Sequence, residues 1–177
     1  MIAAILLIAC PEPTHAQNKV LVVGRPSPQF ELERLEGGRL TLGEFRGRPL
    51  IINFWASWCA PCRTEMPDLI DAWHKNSGAL EILAVNLTDQ EKRKDVTRFV
   101  ADFGVPFPVV LDVRGKVREL YSLVLLPTTV FVDSAGTVRT IHSGPLSTAA
   151  LELGLRTILP HFTAQQSGPA KSSDPRN

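Results

Sequence analysis

Hydrophobic positions along the chain fall into two rhythms, and the change between them locates the centre of the molecule. Leu50-Ile51-Ile52-Asn53-Phe54-Trp55 is almost continuously apolar, the pattern of a central strand covered on both faces. From Cys62 onward the spacing becomes helical, with Leu69, Ile70 and Trp73 sharing one face. Strand therefore runs straight into the Cys59-Ala60-Pro61-Cys62 turn and then into helix. Pro67 is expected to kink that helix and Asn76-Ser77-Gly78 to end it. Upstream, Val20-Leu21-Val22-Val23 is an edge strand or an extension of the linker. Pro26 to Leu32 and Gly37 to Leu42 alternate as two short strands around a Gly-Gly turn, a hairpin ahead of the main sheet. Gly43 to Pro49 reads as a turn or one-turn helix.

Downstream, Leu80 to Asn86 is a second buried strand, followed by a helix with Val96, Phe99, Val100 and Phe103 on one face. Glu91-Lys92-Arg93-Lys94-Asp95 crowds its start and reads as a solvated face. Phe107 to Asp112 is a short strand and Val117 to Tyr121 a brief helix. Leu126 to Asp133 and Val138 to His142 are β-branched runs joined by Ser134-Ala135-Gly136-Thr137, an antiparallel hairpin. Ser147 is placed to cap a final helix with Leu151, Leu155, Ile158 and Leu159 on one face. This order describes an α/β fold, a mixed central sheet with helices on both faces and an N-terminal β-hairpin extension. Right-handed crossovers would lay the parallel strands side by side, with the turn before Cys62 at the carboxyl end of the first core strand, where open α/β sheets place their sites.

At 177 residues and 44% hydrophobic, the chain holds material for one core. Residues 1–18 form a signal or anchor segment, 19–160 the folded domain, and 161–177 a tail too polar to repay ordering. A net charge of +1 without a basic stripe gives nucleic-acid binding no electrostatic support. The apolar run Ile2 to Cys10 is too short to span a bilayer as a helix and fits a secretory h-region, although a basic n-region is missing. Four readings stay open: Leu7-Ile8-Ala9-Cys10 as a lipoprotein box that lipidates Cys10, cleavage after Thr14-His15-Ala16, an uncleaved anchor, or no export. The exported routes place the cysteines outside the cytosol, where disulfides persist.

Only then does the Cys59-Ala60-Pro61-Cys62 sequence gain chemical meaning. A Cys-x-x-Cys pair is also half of a zinc site, yet the only other cysteine is Cys10, and His15, His74, His142 and His161 show no ligand spacing. At the start of a helix, unpaired N–H groups and the dipole favour a thiolate at Cys59. Cys62, one turn in, is placed to resolve a mixed disulfide formed there. Pro61 sets the first helical turn. Glu65 shares a helix face with Cys62 and, if partly buried, would exchange a proton with it. The bland alternative pairs Glu65 with Arg63 or Arg34 on the surface. Trp58 is assigned to the rim, Trp55 and Trp73 to the core.

The stretch Asn53 to Pro67, with Pro28-x-Phe30-x-Leu32, Leu126-Pro127-Thr128-Thr129 and the Asp133 to Gly136 turn, resembles the extracytoplasmic TlpA/ResA-type thiol-disulfide oxidoreductases of the thioredoxin-like superfamily. The resemblance covers about Pro26 to Pro160. It implies a thioredoxin-like fold, a redox disulfide at Cys59 and Cys62, and a functional glutamate at Glu65. It also implies a cis Leu126-Pro127 bond facing the dithiol, where the loop would hold substrate as an added strand beside Cys59, with Trp58, Pro61, Leu126 and Pro127 as the expected substrate-binding residues. Cytosolic thioredoxins carry an acid where this chain has Asn53, which leaves the proton work to Glu65. The implied activity is reduction of protein disulfides in the periplasm or at the outer side of the cytoplasmic membrane, with apocytochrome c as a family-type substrate and a membrane electron donor as partner. A monomer without cofactor or metal is expected. A disulfide-forming oxidase, a peroxiredoxin-like peroxidase and a copper-binding envelope protein are the competing readings.

Overall fold

Six consecutive buried residues decide the layout. In the computed structural model, which describes residues 21–159, β3 (Leu50–Trp55) has every side chain buried. Such a strand needs partners on both edges and cover on both faces. It finds them between β4 (Glu81–Asn86), which runs parallel to it, and β6 (Thr128–Val132), which runs antiparallel. With β1 (Glu31–Arg34), β2 (Arg39–Thr41), β5 (Val109–Leu111) and β7 (Val138–Ser143), they form one seven-stranded mixed sheet in the order β2-β1-β5-β4-β3-β6-β7. The parallel strands β3, β4 and β5 lie side by side, as expected.

Alternation along β3 divides the core. Ile51 and Trp55 point into the cluster that holds Met66 and Leu69 of α1 (Ala60–Lys75), Val96 and Phe99 of α2 (Arg93–Phe103), and Leu151 and Leu155 of α4 (Thr148–Ile158). Leu50, Ile52 and Phe54 face the other way, onto Val117 of α3 (Lys116–Leu120) and onto Leu42 and Phe45 of a 3-10 turn (Leu42–Phe45). Helices thus cover both faces. Gly154 lets α4 settle on β6: a Cβ there would stand 2.2 Å from Cζ of Phe131. Ser147 caps α4 as its position suggests, its hydroxyl accepting from Ala150 N at 3.2 Å.

Of the two readings for the run that ends at Val23, residues 21–23 form no strand; the following residues lace onto the start of β7, with Gly24 N donating to Val138 O at 2.7 Å and Val138 N to Arg25 O at 2.9 Å. Two expectations need adjusting. The first hairpin strand begins at Glu31, because Pro26 and Pro28 have no N–H to give to a ladder. That hairpin is part of the main sheet, through antiparallel pairing of β1 with β5. Cys10, the leader and the tail lie outside the described residues. Among the described residues, no helix is long and apolar enough to cross a membrane.

Candidate active site

At the end of β3 the chain turns back on itself, Cys59 N donating to Ala56 O at 3.2 Å, and α1 begins at Ala60 with Pro61 in its first turn. Cys59 is the N-cap of α1. Its Sγ accepts from Cys62 N at 3.3 Å, in the position that a serine or aspartate oxygen occupies at other helix starts. A hydrogen bond and a helix dipole aimed at one sulfur both favour its charged form. Cys59 and Cys62 are joined by a disulfide, with Cα atoms 5.3 Å apart. Of the pair, Cys59 keeps 4% of its surface exposed and Cys62 none, so a partner can approach only the first sulfur.

Glu65 lies one turn beyond Cys62 and is only 3% exposed. Neither Arg63 nor Arg34 meets it: Arg63 lies over the Phe99 and Phe103 rings at 5.3 and 5.2 Å, and Arg34 pairs with Glu44 at 3.0 Å. Instead, Asn53 Nδ2 donates to Oε1 at 2.8 Å and Leu146 N donates to Oε2 at 2.9 Å. Burial pushes the Glu65 carboxyl above its ordinary value, and the two hydrogen bonds oppose that shift without overcoming it. Asn53 Nδ2 also reaches Thr129 Oγ1 at 3.1 Å, whereas its Oδ1 has no partner among the described residues.

The Leu126-Pro127 peptide is cis, as the resemblance implies. Pairing of Phe54 with Thr128 puts Pro127 at the end of the sheet where β3 turns toward Cys59. Trp58, 57% exposed, and Leu126 line one surface pocket. Trp55 is fully buried and Trp73 partly so, both in the core. The structure therefore gathers the Cys59–Cys62 disulfide and the Pro127 loop at one end of the sheet.

Residues 23–141 match the AhpC/TSA family. The chain is 36% identical over 146 residues to thiol-disulfide oxidoreductase ResA of Geobacillus kaustophilus, covering 81% of this chain and 82% of that relative. It belongs to the AhpC/TSA family, as a ResA-type thiol-disulfide oxidoreductase. Among solved structures it is similar to a protein assigned as thiol:disulfide interchange protein DsbE of Chlorobium tepidum, with a TM-score of 0.71 and 31% identity over 77% of this chain and 96% of that one. StoA of Bacillus subtilis gives a TM-score of 0.62 and 26% identity over 74% and 98%. The fold is thioredoxin-like.

One residue of this oxidoreductase escaped the sequence reading. Glu91 stands in the connection between β4 and α2, before the helix begins, and is partly buried. Its carboxylate accepts from Ser57 N at 2.8 Å, from Asn86 Nδ2 at 2.7 Å and from the Ser57 hydroxyl. Asn86 is held in turn by Thr88, whose Oγ1 donates to Asn86 Oδ1 at 2.7 Å. Glu91 thereby fastens the turn before Cys59 to the end of β4. The only signal was its place at the front of the charge run, which the helical pattern absorbed. Among the described residues, no group of three or more His, Cys, Asp or Glu is arranged to hold a metal ion.

Proposed function

We propose that this thiol-disulfide oxidoreductase works as a reductant in the cell envelope, with Cys59 as nucleophile, Cys62 as resolving thiol and Glu65 as the proton acceptor for Cys62. The observation that carries this reading is the Cys59 sulfur capping α1, with Cys62 buried one turn behind it. In the reduced protein the Cys59 thiolate attacks a substrate disulfide. One S–S bond forms, one breaks, and a substrate thiolate leaves. Cys62 then gives its proton to the Glu65 carboxylate and attacks Cys59 Sγ. The enzyme disulfide closes, the second substrate thiolate departs, and two electrons have passed to the substrate. Burial makes Glu65 a better base than an exposed glutamate, which suits it to take that proton.

Disulfides of extracytoplasmic polypeptides are the substrate class, apocytochrome c among them, and a membrane-bound dithiol donor restores the enzyme. Trp58, Pro61, Leu126 and Pro127 form the surface on which substrate lies. The domain spans residues 19–160 and works as a monomer, preceded by a leader that exports it or tethers it through Cys10 to the outer side of the cytoplasmic membrane.

Replacing Cys62 with Ala and isolating what stays disulfide-linked to Cys59 in the host envelope tests this reading. The expected result is a discrete set of exported polypeptides joined through Cys59. No adduct, together with no reduction of insulin disulfides by the wild type, contradicts it. Catalysed oxidation of reduced substrates without reduction would reassign the direction, and turnover of peroxide would favour the peroxidase.

A further inference from the structure

A cavity of about 470 Å³, within the size range of small-ligand sites, opens at the end of the sheet away from the redox turn. Leu50 and Val132, paired across β3 and β6, both line it. From Leu50, β3 runs six residues to Trp55, about 20 Å at about 3.3 Å per residue, before the chain reaches Cys59. The exchange chemistry therefore makes no use of this cavity.

Three segments wall it: residues 25–29, the 3-10 turn with the residues after it, and the hairpin turn between β6 and β7. They are fastened to one another. Ser27 N donates to Gly136 O at 2.9 Å and Gly47 N to Ser134 O at 3.0 Å. The buried Ser27 hydroxyl is hydrogen-bonded to the Tyr121 hydroxyl at 2.8 Å, and Tyr121 Oη donates to Pro28 O at 2.8 Å. The walls are thus set before any ligand arrives.

Charge and apolar surface meet here. Leu42, Phe45, Leu50 and Val132 contribute buried apolar side chains, and Arg25, Arg46 and Arg48 contribute cations. Arg48 is already engaged, by the Glu81 carboxylate and by Glu44 O at 3.1 Å. The one carboxylate in the wall, Asp133, is held by Ala135 N at 3.0 Å and Thr137 N at 2.9 Å, with Arg139 at 3.8 Å. Among the described residues, Arg25 and Arg46 make no ion pair, so two exposed guanidinium groups stand beside an apolar hollow without a countercharge. Next to Arg25, Val22 and Val23 are 45% and 54% exposed, in a turn closed by Arg25 N donating to Val22 O at 3.1 Å. Exposed aliphatic groups interleaved with unpaired arginines suit an anionic lipid interface better than a soluble anion.

We propose that this cavity binds an acidic membrane phospholipid, its phosphate against Arg25 and Arg46 and its first acyl carbons over Leu42, Phe45, Leu50 and Val132. The contact sets this end of the sheet on the membrane and leaves Cys59 at the end that faces away from it. The inference is independent of the exchange reaction.

The test titrates the full chain with dihexanoyl phosphatidylglycerol and follows backbone amide shifts. Ser27, Gly47, Ala135 and Gly136 are expected to move, and the amides around Cys59 to stay in place. Dihexanoyl phosphatidylcholine has the same acyl chains without the net charge, and glycerol phosphate has the charge without the chains; each should bind at least about fivefold more weakly. Arg25→Gln with Arg46→Gln should weaken phosphatidylglycerol binding by about fivefold for each arginine, the scale of one basic side chain at an anionic surface, whereas Arg25→Lys with Arg46→Lys should keep most of it. The unshifted remainder of each variant's spectrum shows that it is folded. Equal binding of the two lipids, glycerol phosphate binding as tightly as the lipid, shifts that spare the four amides, or a Gln variant that binds like the wild type would each overturn the proposal. So would a Gln variant that loses the short-chain lipid yet sediments undiminished with phosphatidylglycerol vesicles, which would assign the cavity to a soluble amphiphile.

Discussion

Two carboxylates reach the redox turn from different parts of the chain, and the fold puts them to different uses. Glu65 comes from α1 itself, is almost wholly buried, and meets one side-chain amide and one backbone N–H. Glu91 comes from the connection after β4, is only partly buried, and holds Ser57 by both its backbone N–H and its hydroxyl. Desolvation dominates at Glu65 and raises its carboxyl above its ordinary value, in the direction that the proton acceptor proposed for Cys62 requires. The bonds of Glu91 fix the path of the backbone two residues before the attacking sulfur. A carboxylate beside an active site serves as a proton carrier or a fastening according to how much water it has lost and what it holds.

The comparison can be broken most decisively at the sulfurs that both carboxylates serve. Cys59→Ser should abolish insulin reduction, while Cys62→Ala should stall as a mixed disulfide visible on a non-reducing gel. Next in size is Glu65→Gln, which keeps the shape and removes the proton site. Its kcat/KM should fall about a hundredfold, as loss of a positioned acid or base does, and the pH–rate profile should lose the limb that Glu65 supplies. Glu91→Ala should act differently. It leaves Ser57 N and Asn86 Nδ2 without their acceptor, lowering stability in urea by about 1–3 kcal/mol, with a smaller loss of rate and an unchanged pH profile. A Glu91→Ala enzyme that lost the same pH limb as Glu65→Gln would erase the distinction.

The smallest effect lies in the pH dependence of stability. The Glu65 carboxyl is raised from 4.5 on folding, so the folded protein keeps this proton to higher pH than the unfolded chain. Its contribution is fully present below about pH 4.5 and fades as pH rises through the folded value. Glu65→Gln should therefore gain stability relative to the wild type as pH rises from 4.5, then level off. Denaturation of both proteins at stepped pH measures this. The difference between them is the quantity to read, because burial raises Asp112 as well.

The sequence made the framework legible where local pattern and burial agree. Leu50–Trp55 emerged as a central strand with the expected ends, Cys59 as the head of α1, and Ser147 as the cap of α4. Glu65 was found by its spacing from Cys62, but its partners were not, since Leu146 lies 81 residues away and meets it only after β6, β7 and α4 have been placed. Glu91 was lost to a competing pattern: followed by Lys92 to Asp95 it looks like the first turn of a solvated helix, and only contact with Ser57, 34 residues earlier, reveals otherwise. Gly154 sits in an apolar helix without advertising that Phe131 needs its missing side chain. Residues 21–23 are β-branched enough to suggest a strand, but the chain meets β7 only from Gly24 on, and the first hairpin strand begins beyond Pro26 and Pro28.

The mechanism turns on Cys59 being the electron-rich sulfur. Its most direct test is the rate of iodoacetamide labelling of the reduced protein against pH, with the modified residue identified by mass spectrometry. Labelling should fall on Cys59, with a midpoint below the value of about 8.5 for a free thiol. Labelling that reaches Cys62 first, or a Cys59 midpoint at or above that of a free thiol, would contradict the account.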